Sequence, residues 1–119
     1  MNGFVEQTID QKLTKYSVDN ADRIRAGTPT VAANRFWTSP DGSVVHGVWE
    51  MTEGTIDGFD RDETFVVIAG RATITFTNRN TTHELLPGSI CVMHRGDPAS
   101  ITVHETLRKV FAVHGTPSA

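Results

Sequence analysis

The sequence of 119 residues is poor in features that would assign it to a functional class at once. Its single cysteine, Cys91, cannot form an internal disulfide, which is compatible with a reducing compartment. Eleven basic residues against fourteen acidic ones give a formal net charge of -3, so the chain offers no basic field to a nucleic acid backbone. We therefore expect no nucleic acid partner.

Long apolar runs are also lacking. No stretch approaches the length that crosses a membrane, and the N-terminal residues lack the basic region and apolar core of a secretory signal. A hydrophobic content of 38% with 21% charged residues is typical of one soluble globular domain. The expectation is a cytoplasmic protein with no membrane partner.

Helical periodicity is scarce, and its best example lies near the N-terminus. One short apolar helical face could be formed by Val5, Ile9, Leu13 and Tyr16. The β-branched residues of the same region fit equally well an extended arm that packs on a neighbouring sheet or on a partner subunit. Residues 1–33 are therefore interpreted as an N-terminal arm, with or without a short helix.

From residue 34 onward the chain consists of short apolar runs separated by turn residues. Residues 43–51 follow the turn sequence SPDG and are predicted to form a strand, whereas residues 53–62 read as a loop. Residues 63–69 are apolar on both faces, which is typical of a buried strand. Residues 71–77 alternate between apolar and polar side chains and predict a half-exposed strand.

Four further strands are predicted at residues 83–86, 90–94, 100–105 and 107–114. Short strands at even spacing indicate an all-β sandwich or barrel, and an immunoglobulin-type sandwich is disfavoured because its pair of cysteines is missing. We interpret residues 34–115 as a single domain and residues 116–119 as a tail.

Two glycine-framed stretches, GTIDGFDRDETFVVIAG at 54–70 and GSICVMHRG at 88–96, resemble the two motifs of the cupin superfamily. Glu63, six further residues and Gly70 reproduce the end of the first motif. The segments GVWEMTEG, DETFVVIAG, LLPGS and ETLRKVFAV resemble those of small cupins related to the cupin domain of ureidoglycine aminohydrolase. The resemblance implies a double-stranded jelly-roll barrel with a pocket for a small molecule.

The sequence departs from the cupin pattern at the metal ligands. The family's usual metal site has three histidines and one glutamate, but no register of the first motif supplies a histidine, and Ala99 stands at the ligand position of the second. Only Glu63 remains, so no metal cofactor is expected, although a divalent metal with other ligands stays possible. Six acidic residues between Glu50 and Glu63 could bind a hard cation, but a solvated acidic loop is the preferred interpretation.

Glu63, His94 and Lys109 are the candidate catalytic residues. Glu63 opens an apolar strand, and a carboxyl group at the mouth of a barrel suits a general acid or base; the alternative is an ion pair with Arg71, Arg108 or Lys109. His94 should share a strand face with Ile90 and Val92, and if that face is the inner one its imidazole could meet Glu63. Otherwise His94 is a packed, hydrogen-bonded residue.

Lys109 alternates with Phe111 and Val113. If it points inward, it is a buried cation available to an anionic substrate; if it points outward, it protects a sheet edge from unwanted pairing. Trp49 and Phe65 are candidate aromatic walls of the pocket, with core packing as the alternative for Phe65, and His46 is a further pocket candidate.

Three functions remain open on these residues. The first is a small cupin enzyme that acts on a small polar metabolite, such as a ureido or amino acid-like compound, with Glu63 as acid or base. The second is a binding or sensing cupin without catalysis, and the third is a structural subunit of a larger assembly. We expect a homodimer, since sheet edges and an arm would need covering.

Overall fold

A computed structural model describes residues 3–18 and 21–115 of the chain; the predicted tail at 116–119 lies outside this part. The all-β prediction is confirmed. The described residues contain one 3-10 turn, Ala21–Arg23, and nine strands. The strands are β1 (Thr14–Tyr16), β2 (Ile24–Ala26), β3 (Val31–Thr38), β4 (Val44–Met51), β5 (Gly54–Phe59), β6 (Asp62–Phe76), β7 (Thr81–Leu85), β8 (Ile90–Met93) and β9 (Ala99–His114).

The two longest strands, β6 and β9, form the spine of the fold. They pair antiparallel along nearly their whole length, from Asp62 opposite His114 to Phe76 opposite Ala99. On its other edge β9 pairs with β4 in its second half and with β5 in its first half. On its other edge β6 pairs with β8 in its first half and with β7 in its second half. The sheet therefore has two halves, β1-β3-β4-β9-β6-β8 and β2-β5-β9-β6-β7, that share both long strands.

The sheet curls where β6 passes from one half to the other. The register of β6 against β9 shifts three times between Val67 and Ala72, and Gly70 lies within this interval at φ +90°. A Cβ atom added to Gly70 would lie 2.0 Å from the backbone oxygen of Thr106 in β9. The bend thus depends on a residue that has no side chain and tolerates a positive φ angle.

The core lies between the two halves of the sheet. The predicted alternation after Gly70 is confirmed, because Ala72, Ile74 and Phe76 are 0%, 2% and 8% exposed. On the opposite half, Phe65 and Leu107 are 1% and 0% exposed. Close packing of these side chains fixes which face of each long strand points inward.

Several predicted boundaries were wrong. Residues 53–62 were expected to be a loop, but β5 occupies most of them; Asp57 and Gly58 form an irregularity that hides the alternation of buried Ile56 and Phe59. The segments 63–69 and 71–77 are one strand, as are 100–105 and 107–114, because each long strand bends without ending.

The segment before β3 contains no α-helix among its described residues; its extended form includes β1, which pairs with β3. Arg108 in β9 donates hydrogen bonds to the backbone oxygens of Ile9 and Gln11, at 2.9 and 3.0 Å. The side-chain amide of Asn34 donates to that of Gln11. These contacts hold residues 9–11 against the sheet, and the boundary predicted at residue 34 lies within β3. No helix in the described ranges has the length and apolarity needed to span a membrane.

We predict that Gly70→Ala destabilises the protein far more than Gly88→Ala. Both glycines have similar positive φ angles, +90° and +95°, but a Cβ at Gly88 would meet nothing within 4 Å. Gly88→Ala should therefore cost only the backbone strain, about 1–2 kcal/mol. Gly70→Ala adds the clash with Thr106 and should cost more than about 4 kcal/mol, or prevent folding. Urea denaturation of both variants checks this, and equal losses would contradict the role given to the bend.

Candidate functional site

A cavity of about 640 Å³ is lined by the N-terminal segment and by strands from both halves of the sheet. Its volume lies within the range of small-molecule sites. Eight of its seventeen lining residues are apolar side chains from β3, β4, β5 and β9, and Val18 is a ninth apolar residue. Its polar and charged lining residues are Thr14, Tyr16, Arg23, Asn34, Arg35, Arg61, Glu63 and Lys109.

Glu63 and Lys109 form a buried ion pair in the wall of this pocket. The Nζ atom of Lys109 lies 2.7 Å from Oε2 of Glu63, and the two side chains are 3% and 2% exposed. Glu63 lies near the start of β6, opposite Val113, whereas Lys109 lies between Trp49 of β4 and Val67 of β6. The lysine side chain therefore runs diagonally along the sheet to reach the carboxylate.

Aromatic rings surround the ammonium group of Lys109. Its Nζ atom lies 4.3 Å from the ring centre of Phe65, 4.7 Å from that of Trp49 and 5.8 Å from that of Phe59. Burial of an ammonium group away from water is costly, and the faces of aromatic rings attract a cation. The rings therefore offset part of the desolvation cost that the carboxylate alone would have to balance.

Burial also changes the titration of two groups near the pocket. It lowers the pKa of Lys109 below its usual value, and the adjacent Glu63 carboxylate opposes this effect. Lys109 therefore gives up its proton more readily than an exposed lysine does. Burial raises the pKa of the Cys91 thiol, with Lys109 opposing, so this thiol is poorly suited to act as a nucleophile.

The N-terminal segment supplies one wall of the pocket. Thr14, Tyr16 and Val18 line the cavity, and the indole nitrogen of Trp49 donates a hydrogen bond of 2.8 Å to the hydroxyl oxygen of Tyr16. Trp49 is only 7% exposed, and this bond gives its indole nitrogen a hydrogen-bond partner. The aromatic lining thus depends on a contact between β1 and β4.

Three arginines, Arg23, Arg35 and Arg61, line the outer part of the pocket and are called the mouth arginines below. Arg23 and Arg61 are half-buried, with guanidinium carbons 5.2 and 5.9 Å from the ring centre of Phe59. The Nε atom of Arg61 lies 3.9 Å from Oε1 of Glu63. Arg23 donates to the backbone oxygen of Asp57 at 2.9 Å.

The structure brings three of the six predicted site residues together at the pocket surface: Glu63, Lys109 and Trp49. The ring of Phe65 lies next to the ammonium group of Lys109. Phe65 is a core residue, 1% exposed, and does not line the cavity. His46 is half-buried against the edge of Trp37, with ring centres 5.3 Å apart, and is also absent from the lining.

His94 does not meet Glu63 across the barrel, which corrects its expected position. It follows β8 in a turn and is exposed. The face that it was predicted to share with Ile90 and Val92 is the outer one, since these residues are 76% and 60% exposed. Met93 on the opposite face is buried. Strand alternation predicted the shared face but could not predict which face lies inside.

The six carboxylates between Glu50 and Glu63 do not converge on one point. Each binds a separate partner: Glu50 binds Arg108, Glu53 binds Thr106, Asp57 binds Arg25, Asp60 accepts from the amide of Gly96, Asp62 accepts from the amide of Arg95, and Glu63 binds Lys109. Asp60 and Asp62 thereby join the loop before β6 to the turn after β8. These carboxylates therefore connect strands and loops through separate contacts.

The residues present do not fit the metal site that the cupin resemblance implies. In the described ranges, no group of three or more histidine, cysteine, aspartate or glutamate side chains could hold a metal ion. The carboxylate of Glu63 already faces an ammonium group at 2.7 Å, and the nearest charged neighbour beyond it is the guanidinium of Arg61. A donor set with one carboxylate and two cations repels a divalent metal.

Sequence reasoning missed Tyr16, Phe59 and the mouth arginines. Tyr16 was noted only as part of a helical spacing, and Phe59 and Arg61 lie in the segment that was read as a loop. A useful signal was available at Ile56 and Phe59, two large apolar residues in an otherwise acidic segment. Such residues need a buried surface, and here that surface is the wall of the pocket.

We predict that Lys109→Met destabilises the fold by about 3–5 kcal/mol, because it leaves the Glu63 carboxylate buried without its partner. The double variant Glu63→Leu with Lys109→Met should recover most of the stability, since a buried pair replaced by apolar groups is often neutral.

Arg79→Met is the matched control for this measurement. Arg79 and Asp97 also lie 2.7 Å apart, but the arginine is 55% exposed. Its loss should cost less than about 1 kcal/mol. Chemical denaturation checks all three variants. Similar losses in Lys109→Met and Arg79→Met would contradict the claim that burial makes the Glu63–Lys109 pair costly to break.

Comparison with known proteins agrees with this architecture. The family model described as the EutQ-like cupin domain matches residues 38–111. A search of curated proteins finds no match. Three solved structures have the same fold at identities too low to indicate more than the fold.

The first of these is a DUF861-family protein of unknown function from Pseudomonas syringae pv. tomato, with a TM-score of 0.78 and 20% identity over 89% of this chain. This chain spans only 46% of that protein. The EutQ protein of Clostridium difficile has a TM-score of 0.63 and 23% identity, covering 84% of this chain and 81% of its own.

The third is the polyketide cyclase RemF from Streptomyces resistomycificus, with a TM-score of 0.68 and 16% identity, covering 98% of this chain and 83% of its own. These neighbours and the curled antiparallel sheet confirm the predicted jelly-roll barrel. Since the family match extends over more than half of the sequence, the chain belongs to the EutQ-like cupin domain family.

Proposed function

We propose that this cupin domain binds a small polar metabolite in the pocket beside Glu63 and Lys109, and that the ion pair exchanges a proton with it. The observation that carries the proposal is the buried contact of 2.7 Å between the two side chains, in the wall of a cavity of about 640 Å³. Buried charges are costly, and ionisable groups kept in a pocket despite that cost mark functional sites more often than other groups do.

The chemistry of the pair suits proton transfer. A ligand group that hydrogen-bonds to both side chains can give a proton to the Glu63 carboxylate and receive one from the Lys109 ammonium group. Burial lowers the pKa of Lys109 and so makes its proton easier to donate. The surrounding rings exclude water, which strengthens the electrostatic interactions within the site.

An aminohydrolase-like reaction on a ureido or amino acid-like compound is the finer form of this proposal. It is supported by the motif segments around Glu63 and by an acid–base pair that needs no metal. Release of ammonia from such compounds would be the direct sign of this reaction.

A binding or sensing role without catalysis is the second candidate. The observation that favours it is that each charge of the pair already has its partner, because the ammonium group and the carboxylate neutralise each other at 2.7 Å. In that case the pair shapes the wall of the pocket and the ligand leaves unchanged.

We predict that a panel of small polar metabolites contains at least one that raises the melting temperature of the wild-type protein. A ligand at about a hundred times its Kd should stabilise by about 2.7 kcal/mol. Glu63→Gln should abolish the shift or the associated turnover. The matched control is Glu105→Gln, because that side chain is 68% exposed and pairs with Arg71 at the surface.

The outcomes separate the candidates. Ligand consumption by the wild-type protein but not by Glu63→Gln supports catalysis, whereas binding without consumption supports the sensing role. An unchanged shift in Glu63→Gln would remove Glu63 from the site. Stoichiometric manganese, iron, nickel or zinc in freshly purified protein would contradict the metal-free form of the proposal.

A cytoplasmic homodimer also remains a proposal. It is supported by the outer face of β8, where Ile90 and Val92 are 76% and 60% exposed on a strand that pairs only with β6 among the described strands. We predict that light scattering after gel filtration gives twice the monomer mass of 13.0 kDa. Ile90→Thr combined with Val92→Thr should shift the protein to the monomer, and a monomeric wild type would contradict the dimer.

A further inference from the structure

The pocket has a charge opposite to that of the whole chain. The chain carries a formal net charge of -3. The described residues that line the cavity include four cationic side chains, Lys109 and the three mouth arginines, but a single carboxylate, Glu63. Because Glu63 is already paired with Lys109, the balance of the lining is strongly positive.

Carboxylates close to the pocket in sequence do not correct this balance, because they point to other partners. Asp57 binds Arg25 at 3.1 Å and accepts from the amide of Gly58. Asp60 and Asp62 accept hydrogen bonds from the backbone amides after β8. None of the three lines the cavity. The carboxylates of these neighbouring residues therefore do not neutralise the positive charge of the lining.

Apart from Thr14, Tyr16 and Asn34, the remaining lining is apolar and partly aromatic. Trp49, Phe59 and Phe111 contribute rings, and they are 7%, 5% and 8% exposed. Val31 and Ile56 contribute aliphatic surface between the rings. An occupant that fills this space needs an apolar body, and the cations at the mouth need an anion.

We propose that the pocket is selective for a small carboxylate with an aromatic or other planar apolar body. Its carboxylate group pairs with the mouth arginines, and its body packs against Trp49, Phe59 and Phe111. A planar guanidinium group binds a carboxylate through two parallel hydrogen bonds, which gives the orientation as well as the charge selectivity. This inference depends on the proposed function and narrows it: the polar part of the proposed metabolite is a carboxylate group, and the rest of the molecule is an apolar body.

Arginine side chains bind phosphate groups as well as carboxylates. Many phosphate sites add backbone donors at the N-terminus of a helix, and the described residues of this chain contain no α-helix. Phenyl phosphate is therefore included in the test below.

Binding of benzoate and trans-cinnamate, compared with benzamide and cinnamamide, tests the inference. The amides have the same shape without the charge. Titration calorimetry, with intrinsic tryptophan fluorescence as a second readout, should show that the carboxylates bind at least about tenfold more tightly. Their affinity should fall as salt rises, because partly exposed charges are screened.

Arg35→Gln and Arg61→Gln identify the groups responsible. Arg35 is exposed, so its replacement leaves the core intact, and each variant should weaken carboxylate binding by about tenfold without changing the affinity for the amides. Arg79→Gln is the control, because it pairs with Asp97 and does not line the cavity. Its affinities should match those of the wild type.

The results that overturn the inference differ from those that overturn the proposed function. Equal affinity for carboxylates and amides, tighter binding of phenyl phosphate than of benzoate, or no binding of the carboxylates would each overturn the carboxylate selectivity. Carboxylate binding that depends on the mouth arginines but is unchanged in Glu63→Gln would support the selectivity and remove the ion pair from the ligand's contacts.

Discussion

The structure depends on one interaction, the ion pair that joins Lys109 to Glu63 inside the barrel. The two residues belong to the two longest strands, and their side chains are almost completely buried. A buried ion pair adds little net stability, because the cost of removing both charges from water offsets most of their Coulombic attraction. Its requirement for a partner of opposite charge does constrain the register of β6 against β9, since a slip of one residue would turn either charge to the wrong face.

The Lys109 ammonium group supplies the positive charge beside Glu63 in a barrel whose first motif has no histidines. A cupin carboxylate at the position of Glu63 would ordinarily face a metal cation, and here it faces the cation of a lysine from a different strand. The stretch where the first motif would carry histidines holds carboxylates and glycine instead. Of these, Asp60 and Asp62 bind backbone amides of the second motif. The two motifs therefore stay connected at the mouth of the barrel through hydrogen bonds.

Much of the fold could be predicted from the sequence, but less of the site. Alternation after Gly70 and the motif segments identified the barrel, and the spacing of Lys109 with Phe111 placed both on one face. Alternation has a period of two and cannot tell the inner face from the outer, so it left the face of His94 open. The mouth arginines come from three separate segments, and only the pairing of distant strands brings Arg23, Arg35 and Arg61 to one opening.

The contact between Tyr16 and Trp49 joins a part of the pocket wall outside the family match to a part within it. The family match begins at residue 38, yet several lining residues, from Thr14 to Arg35, precede it. The inner wall is thus made by the inherited barrel, and the outer wall by a segment that packs on it from β1 and β3. Substitutions in the outer wall can change the shape and charge of the pocket while the Glu63–Lys109 ion pair stays intact, so relatives with the same barrel need not have the same pocket.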